Sequence, residues 1–443
     1  MAEATLHFPK DFKWGTSTAA HQVEGGNTNN DWYAWEQTPG KVYDNQTSGK
    51  ACNWWEPGGA EADFDLMASM GHNAHRLSIE WSRIEPEEGR WDDAAIERYR
   101  VMLRELRARG IEPMVTLHHF TNPLWLVERN GFENEIAVTL FDRFVAKAVE
   151  ALGEYCDLWC TINEPMVYVV EGYLQGVCPP GKQDMQAGLG VALNLLRAHG
   201  AAYHTIHRIQ PQARVGFAHQ MRGFEPARAW FPLDRAVAGF QNWAMNEMWL
   251  LSAVDGWLRP PLGRGRIAGL ANTLDFIGLN YYTTDLVAFD PGRKVTGFGR
   301  NFYPAEAEIS DGGYGQLHPE GFLHFLRRLA RLRRPIYVTE TGLPDADDDQ
   351  RPRFLITHLR QLWRAINFNW PVRGFYHWTF VDNFEWAYGW SLRFGLVELD
   401  LETQARHTRP SGELYAEICK TGTLTSDMVA RYAPSIKEEM FPG

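Results

Sequence analysis

The chain has 443 residues, 44% of them hydrophobic and 22% charged, and carries a formal net charge of −11. That size and composition suit a soluble globular protein with a large core and exclude a disordered chain. No stretch approaches the roughly 20 apolar residues that a membrane-spanning helix needs, and no basic stripe offers a footprint for nucleic acid.

Residues 1–12 are short and charged and lack the apolar centre of a secretion signal. The five cysteines (Cys52, Cys156, Cys160, Cys178 and Cys419) are an odd number in a long chain, unlike a disulfide framework. Together these features predict a cytoplasmic protein. Eight β-branched or aromatic runs then follow, at 12–17, 74–79, 112–117, 158–162, 214–218, 276–280, 336–339 and 375–378. Amphipathic patterns lie between them. Ile136, Leu140, Phe144 and Ala148 recur at spacing four, and Leu355, Leu359, Leu362 and Ile366 at four, three, four.

Strands alternating with helices in this way predict an α/β fold, a single (β/α)8 TIM barrel over residues 1–443. A two-domain doubly wound sheet is the competing architecture. Against it, no linker rich in Pro, Gly or Ser divides the chain, and no repeat is present. Residues 290–319, rich in Gly and polar side chains, read as a long loop. The acidic run 345–349 reads as a solvated loop, and residues 419–443 as a C-terminal extension.

Barrel enzymes carry their chemistry at the carboxyl ends of the strands. Polar or aromatic residues just beyond an apolar run are therefore the candidates: Gln22, Arg76, His119, Asn163, Glu164, Tyr282, Glu340, Trp378, Glu385 and Trp386. Glu164 closes the fourth run and Glu340 the seventh. One such glutamate is equally well a salt-bridge partner for a loop arginine. Two of them fit the carboxyl pair that glycoside hydrolysis requires, one attacking the anomeric carbon and one protonating the leaving oxygen. The 18 tryptophans favour carbohydrate work too, because a pyranose presents apolar faces to an aromatic ring. His118 and His119 are strand neighbours pointing to opposite faces, so they do not grip one metal ion, and only His119 faces the mouth. Cys156 and Cys160 read as buried thiols, and no phosphate-binding loop implies a nucleotide cofactor.

Thr161-Ile162-Asn163-Glu164-Pro165 resembles the acid/base motif of glycoside hydrolase family 1, the β-glucosidase family, and Tyr337-Val338-Thr339-Glu340-Thr341-Gly342 its nucleophile motif. Phe8-Pro9, Phe12 and Trp14-Gly15, with Gln22 and Glu24-Gly25, are similar to the family's first strand. Asp382-Asn383-Phe384-Glu385-Trp386 and Arg393-Phe394-Gly395 match the stretch beyond its last strand. The likeness runs from residue 8 to about 418, with the motifs in the family's order.

The resemblance implies a retaining β-glycosidase acting on small-molecule β-glycosides, with Glu340 as nucleophile, Glu164 as acid/base and no cofactor or metal. Arg76 and Tyr282 are then the partners of Glu340. Gln22, His119, Asn163, Trp378, Glu385 and Trp386 are the cage around the terminal sugar, with Asn163 at the 2-hydroxyl, Trp378 as stacking floor and Glu385 at the 4- and 6-hydroxyls as a carboxylate. The charge of Glu340 is expected to raise the Glu164 pKa. Three positions depart from the pattern: Thr341 stands where the family has Asn, Phe120 where many members have Trp, and Met166 where many have Trp. The retained Glu164 argues against the family's thioglucosidases, which have Gln there. Leu392 and Phe394 stand where its phospho-glycosidases hold a phosphate with Lys and Tyr.

Overall fold

Each of the eight runs becomes a strand. The computed structural model describes residues 4–294 and 296–442. Residues 1–3, part of the segment read as lacking a secretion signal, and 295, within the 290–319 loop, lie outside it, as does 443. The strands are β1 (Lys13–Ser17), β2 (Ala74–Ser78), β3 (Glu112–His118), β4 (Leu158–Asn163), β5 (Arg214–Gln220), β6 (Ile277–Asn280), β7 (Ile336–Glu340) and β8 (Val372–Trp378). They close into a parallel barrel in sequence order, with β8 returning to β1.

Helices α1 (Gly59–Ser69), α2 (Asp93–Ala108), α3 (Ile136–Leu152), α4 (Met185–Ile209), α5 (Pro232–Asn242), α6 (Met248–Asp255), α7 (Pro319–Ala330) and α8 (Arg351–Asn367) fill the connections. Local chemistry starts them. Asp92 accepts the amides of Ala94 and Ala95 at 2.9 and 3.0 Å and begins α2, and Asp184 does the same for α4. In α8, Leu355, Leu359 and Leu362 form the buried stripe that the spacing predicts. Truncating one of these to alanine should cost about 2–5 kcal/mol. In α3 the stripe begins at Leu140, and Ile136 is exposed.

Inside the barrel Ala74, Met114, Leu158, Phe276, Tyr337 and Tyr376 pack together, with Phe276 and Tyr337 edge to face at 5.3 Å. This layer shuts the barrel below the strand ends, so a pocket forms only above it.

Two loop expectations need correction. Within 290–319, Gly299–Phe302 pairs antiparallel with Thr284–Phe289, which also pairs with Gly223–Pro226, making a small sheet beyond β5 and β6. The segment Gly-Arg-Asn-Phe has no apolar alternation to announce a strand, and backbone pairing alone recruits it. The acidic run is solvated only in part: Ala346, Asp347 and Asp349 are exposed, and the other two acids are not. Asp345 is buried and accepts the amides of Gln350 and Arg351 at 2.9 and 2.7 Å at the start of α8. Asp348, also buried, pairs with Arg351 and accepts from the amide and hydroxyl of Ser411 at 2.7 and 2.6 Å.

Beyond α9 (Pro410–Thr421), Thr423–Thr425 pairs antiparallel with Thr5–His7, and helix α10 (Ser426–Tyr432) buries Met428 and Val429. All five cysteines are free thiols. Among the described residues no helix is long and apolar enough to cross a membrane.

Candidate active site

Arg76 is the fixed point of the mouth. β2 holds it in register with Ser17 of β1 and Met114 of β3, fully buried. Its guanidinium donates from Nε to Thr116 Oγ1 at 2.9 Å, from Nη1 to Glu340, and from Nη2 to Asn163 Oδ1 at 2.7 Å. A buried cation without a carboxylate partner is costly, so Arg76 and Glu340 depend on each other. The Tyr282 hydroxyl donates to the other oxygen of Glu340 at 2.7 Å. Burial first, and Glu340 second, push that phenol well above its ordinary pKa, so it remains a donor.

Glu164 reaches the mouth by a backbone turn. Pro165 disfavours helical backbone at the residue before it, and Glu164 adopts φ 46°, ψ 59°. This left-handed conformation costs a non-glycine residue on the order of 1–2 kcal/mol. Pro165 then opens the helical segment 165–175 from a position where its missing N–H is not needed. The chain breaks sharply at the strand end, and Glu164 is left only 5% exposed. Asn280 donates to Glu164 Oε1 at 2.7 Å, while Thr339 Oγ1 donates to Asn280 Oδ1 at 2.6 Å and fixes which way the amide faces. Burial pushes the Glu164 pKa well above the carboxylate range, and the charge of Glu340 adds to the rise. The sequence reading gave that effect to Glu340; burial is the larger cause.

Asn163 links the carboxyls to the aromatic side of the mouth. Its Oδ1 faces Arg76, so its amide donates to Nε2 of His119 at 3.1 Å. His119 lies between Trp378 and Trp386, with ring centroids 6.1 and 6.0 Å away and interplanar angles of 24° and 22°. Burial and then Arg76 hold its pKa well below the usual imidazole value, so the ring is neutral. His118 points away, to Asn122 at 3.2 Å.

Gln22 donates its amide to Asn383 Oδ1, the Phe384 carbonyl and Glu385 Oε2 at 3.2, 2.9 and 3.2 Å. Two buried atoms here have no hydrogen-bond partner among the described residues: Gln22 Oε1, an acceptor, and His119 Nδ1, which must carry the ring proton. Glu385 is pushed up to about 8, by burial first and Glu340 second. That rise favours its neutral form, against the ionised form that the resemblance implies. An indole and an amide donate to it, and neither is a cation. Leu392 and Phe394 pack with Tyr282 and Trp378, and Arg393 turns to Asp382, 3.7 Å away.

The strand-end residues singled out from sequence thus converge on one mouth. Three more belong there. Asn280 and Thr339 also stand at strand ends and were reachable by the same rule. Tyr314, edge-on to Tyr282 at 5.9 Å, comes from the 290–319 segment, and no local pattern marks it.

A closed (β/α)8 barrel with two differently held carboxyls at its mouth, ringed by amides and aromatics, has the make-up of a barrel glycosidase. The sequence model of glycosyl hydrolase family 1 matches residues 4–423. The chain is 31% identical to β-glucosidase A of Thermotoga maritima, over 94% of this chain and 98% of that one. It is also 31% identical to a β-galactosidase of Saccharolobus solfataricus, over 95% and 96%. Its fold superposes on the β-glycosidase from Pyrococcus horikoshii with a TM-score of 0.90 at 37% identity, covering 97% and 98%. The chain belongs to glycosyl hydrolase family 1 and is an O-glycosyl hydrolase.

Proposed function

We propose that the whole chain acts as one catalytic unit, an exo-acting β-glycosidase that removes single unphosphorylated sugars from small-molecule β-glycosides with retention of configuration. Glucose is the reference sugar, with galactose and fucose also accepted. The relatives named β-glucosidase and β-galactosidase support glucose and galactose.

The observation that carries the reading is the contrast between the two carboxyls. Both oxygens of Glu340 accept from donors, as a carboxylate's do, whereas Glu164 is buried and its pKa is raised well above the carboxylate range, by burial first and Glu340 second. Glu340 attacks the anomeric carbon as the bond to the leaving oxygen breaks, and Glu164 gives its proton to that oxygen. With Glu340 esterified its charge is gone, so Glu164 serves as base. It takes a proton from water, the water oxygen attacks the anomeric carbon, and Glu340 is released.

Asn163 meets the 2-hydroxyl and Trp378 is the floor under the ring. Gln22 Oε1 and His119 Nδ1–H are a free acceptor and donor, which one sugar hydroxyl satisfies together. Two inversions at one carbon restore its configuration, so early-time proton NMR of a turned-over aryl β-glucoside should show the β-anomer first. An α-anomer first would mean an inverting enzyme.

A further inference from the structure

A pyranose ring leaves its anomeric carbon in two directions, one to C2 and one through the ring oxygen to C5 and C6. Glu340 marks the anomeric carbon, and its two oxygens are held by different groups. Arg76, which also grips Asn163, holds Oε1, and Tyr282 holds Oε2. With Asn163 at the 2-hydroxyl, the Tyr282 side is the side of the ring oxygen and of C6.

Tyr314 stands on that side. Its ring meets Tyr282 edge-on at 5.9 Å and Phe394 at 5.2 Å, and Tyr388 packs on it at 6.1 Å. Burial first, then the charges of Glu385 and Glu164, raise its pKa well above the ordinary phenol value, so the hydroxyl stays a donor. Glu164 serves the glycosidic oxygen and Glu385 the hydroxyls at the far end of the ring. A group that faces both from the Tyr282 side lies along the edge that carries C6. Tyr314 is only partly buried. Its hydrogen bonds run through the backbone, from the Tyr303 hydroxyl to its carbonyl at 2.9 Å and from its amide to Asp311 at 3.3 Å, and among the described residues the phenol has no partner.

The loop that carries Tyr314 is pinned on both sides of it. Arg222 donates to the Tyr303 hydroxyl at 2.9 Å while gripping Asp285 through two bonds of 2.8 Å. Gly315 lies so close to Thr283 that a Cβ there would come within 2.9 Å of the threonine Cβ, and the Gln316 amide donates to Thr283 Oγ1 at 2.9 Å. Gly312 fits against Leu392, which a Cβ would approach to 2.7 Å. These ties fix the loop to the residues just beyond β6 and hold the Tyr314 ring beside the mouth.

We propose that Tyr314 is a specificity-determining residue that donates a hydrogen bond to the 6-hydroxyl, so that the enzyme tells hexosides bearing that hydroxyl from 6-deoxyhexosides and from pentosides. The assignment rests on the glycosidase reading above. Tyr303 and Arg222 are positioning residues that act through Tyr314, since they hold its carbonyl and do not reach the sugar.

The test is kcat/KM for nitrophenyl β-glucoside, its 6-deoxy analogue and nitrophenyl β-xyloside, which lacks C6. Tyr314→Phe keeps the edge-on contacts and removes only the hydroxyl. It should lower the glucoside-to-6-deoxyglucoside ratio roughly three- to tenfold, the loss of one neutral hydrogen bond. The glucoside-to-xyloside ratio should fall in step, and Tyr303→Phe should move both ratios in the same direction by less. A purely structural role would lower every sugar alike and leave the ratios where they are. Unchanged ratios in Tyr314→Phe, or an equal loss on all three sugars, overturn the assignment while wild type still turns over nitrophenyl β-glucoside. No turnover of any of these glycosides by wild type overturns the glycosidase reading and this assignment with it.

Discussion

Asn163 donates its amide to Nε2 of His119, and Arg76, by holding the other end of that amide, decides which imidazole nitrogen carries the proton. The proton is on Nδ1, where the described residues offer no acceptor, and Gln22 Oε1 is an acceptor without a donor among them. His119→Ala and Gln22→Ala should each lower kcat/KM on an aryl β-glucoside by about 10–100-fold, the loss of one buried hydrogen bond to an otherwise unpaired group. On a deoxy substrate lacking the shared hydroxyl, wild type should fall to the variants' level and the substitutions should add little. Full losses on the deoxy substrate would mean that the two residues act only on the fold.

Glu340→Gly removes the nucleophile and also the counter-ion of Arg76. Turnover should vanish, and thermal unfolding should report a loss of about 3–5 kcal/mol from the stranded guanidinium. Azide should restore turnover of an activated aryl β-glycoside and yield the α-glycosyl azide. Near-normal activity without azide would take Glu340 out of the role.

For Glu164→Ala, the outcome should depend on the leaving group. Alkyl and unactivated aryl glycosides need a proton on departure and should lose nearly all activity. Dinitrophenyl glycosides leave unaided, and their first step should change far less. Equal losses on both would make Glu164 a structural residue.

From its buried titratable groups, stability should peak near pH 7. Eight buried histidines (72, 75, 118, 119, 199, 219, 358 and 377) have pKa values held below 6.5 by burial. The unfolded chain takes up their protons as pH falls below 6.5 and the folded chain does not, so stability drops on the acid side. Burial raises Glu24 and Asp31 to about 7 and Glu385 to about 8. The stability these three contribute is full below their unfolded values, near 4.5 and 3.8, and is lost as pH rises through 7 and 8. Tm measured from pH 4.5 to 9 should trace this arch, and His358→Phe should make its acid limb shallower. A Tm rising steadily to pH 9 would contradict the account.

A 6-phosphate on the sugar should be rejected. It would bring about two negative charges beside buried Glu385 and within reach of the Glu340 charge, where Leu392 and Phe394 offer no cation. Nitrophenyl β-glucoside should be cleaved at least a hundredfold better than its 6-phosphate, roughly 2.7 kcal/mol in transition-state stabilisation. Comparable kcat/KM would place Glu385 elsewhere.

The barrel was legible because eight apolar runs, each ending on a polar or aromatic residue, report both the strands and the end that faces the site. Glu164 and Glu340 could be found by that rule before any motif was compared. Tertiary contacts carried the rest. Asp345 and Asp348 look like surface charge until the α8 amides and Ser411 are brought to them. Tyr314 gains its place only when a strand with no apolar alternation pairs backbone to backbone. The upward shift of the Glu385 pKa depends on how little water reaches it, and no local sequence window encodes that.

The pairing of Thr5–His7 with Thr423–Thr425 joins segments more than 400 residues apart. Closing so long a loop costs little more entropy than closing one half its length, about 0.6 kcal/mol per doubling, but contacts of this separation slow the search. During synthesis Thr5–His7 must wait for Thr423–Thr425, more than 400 residues later, to emerge, with its backbone donors and acceptors open to a neighbouring molecule. A chain cut after Cys419 would keep every candidate site residue and still leave that edge unsealed, so its failure would be seen first as aggregation, with the chemistry of the mouth intact in whatever stays in solution.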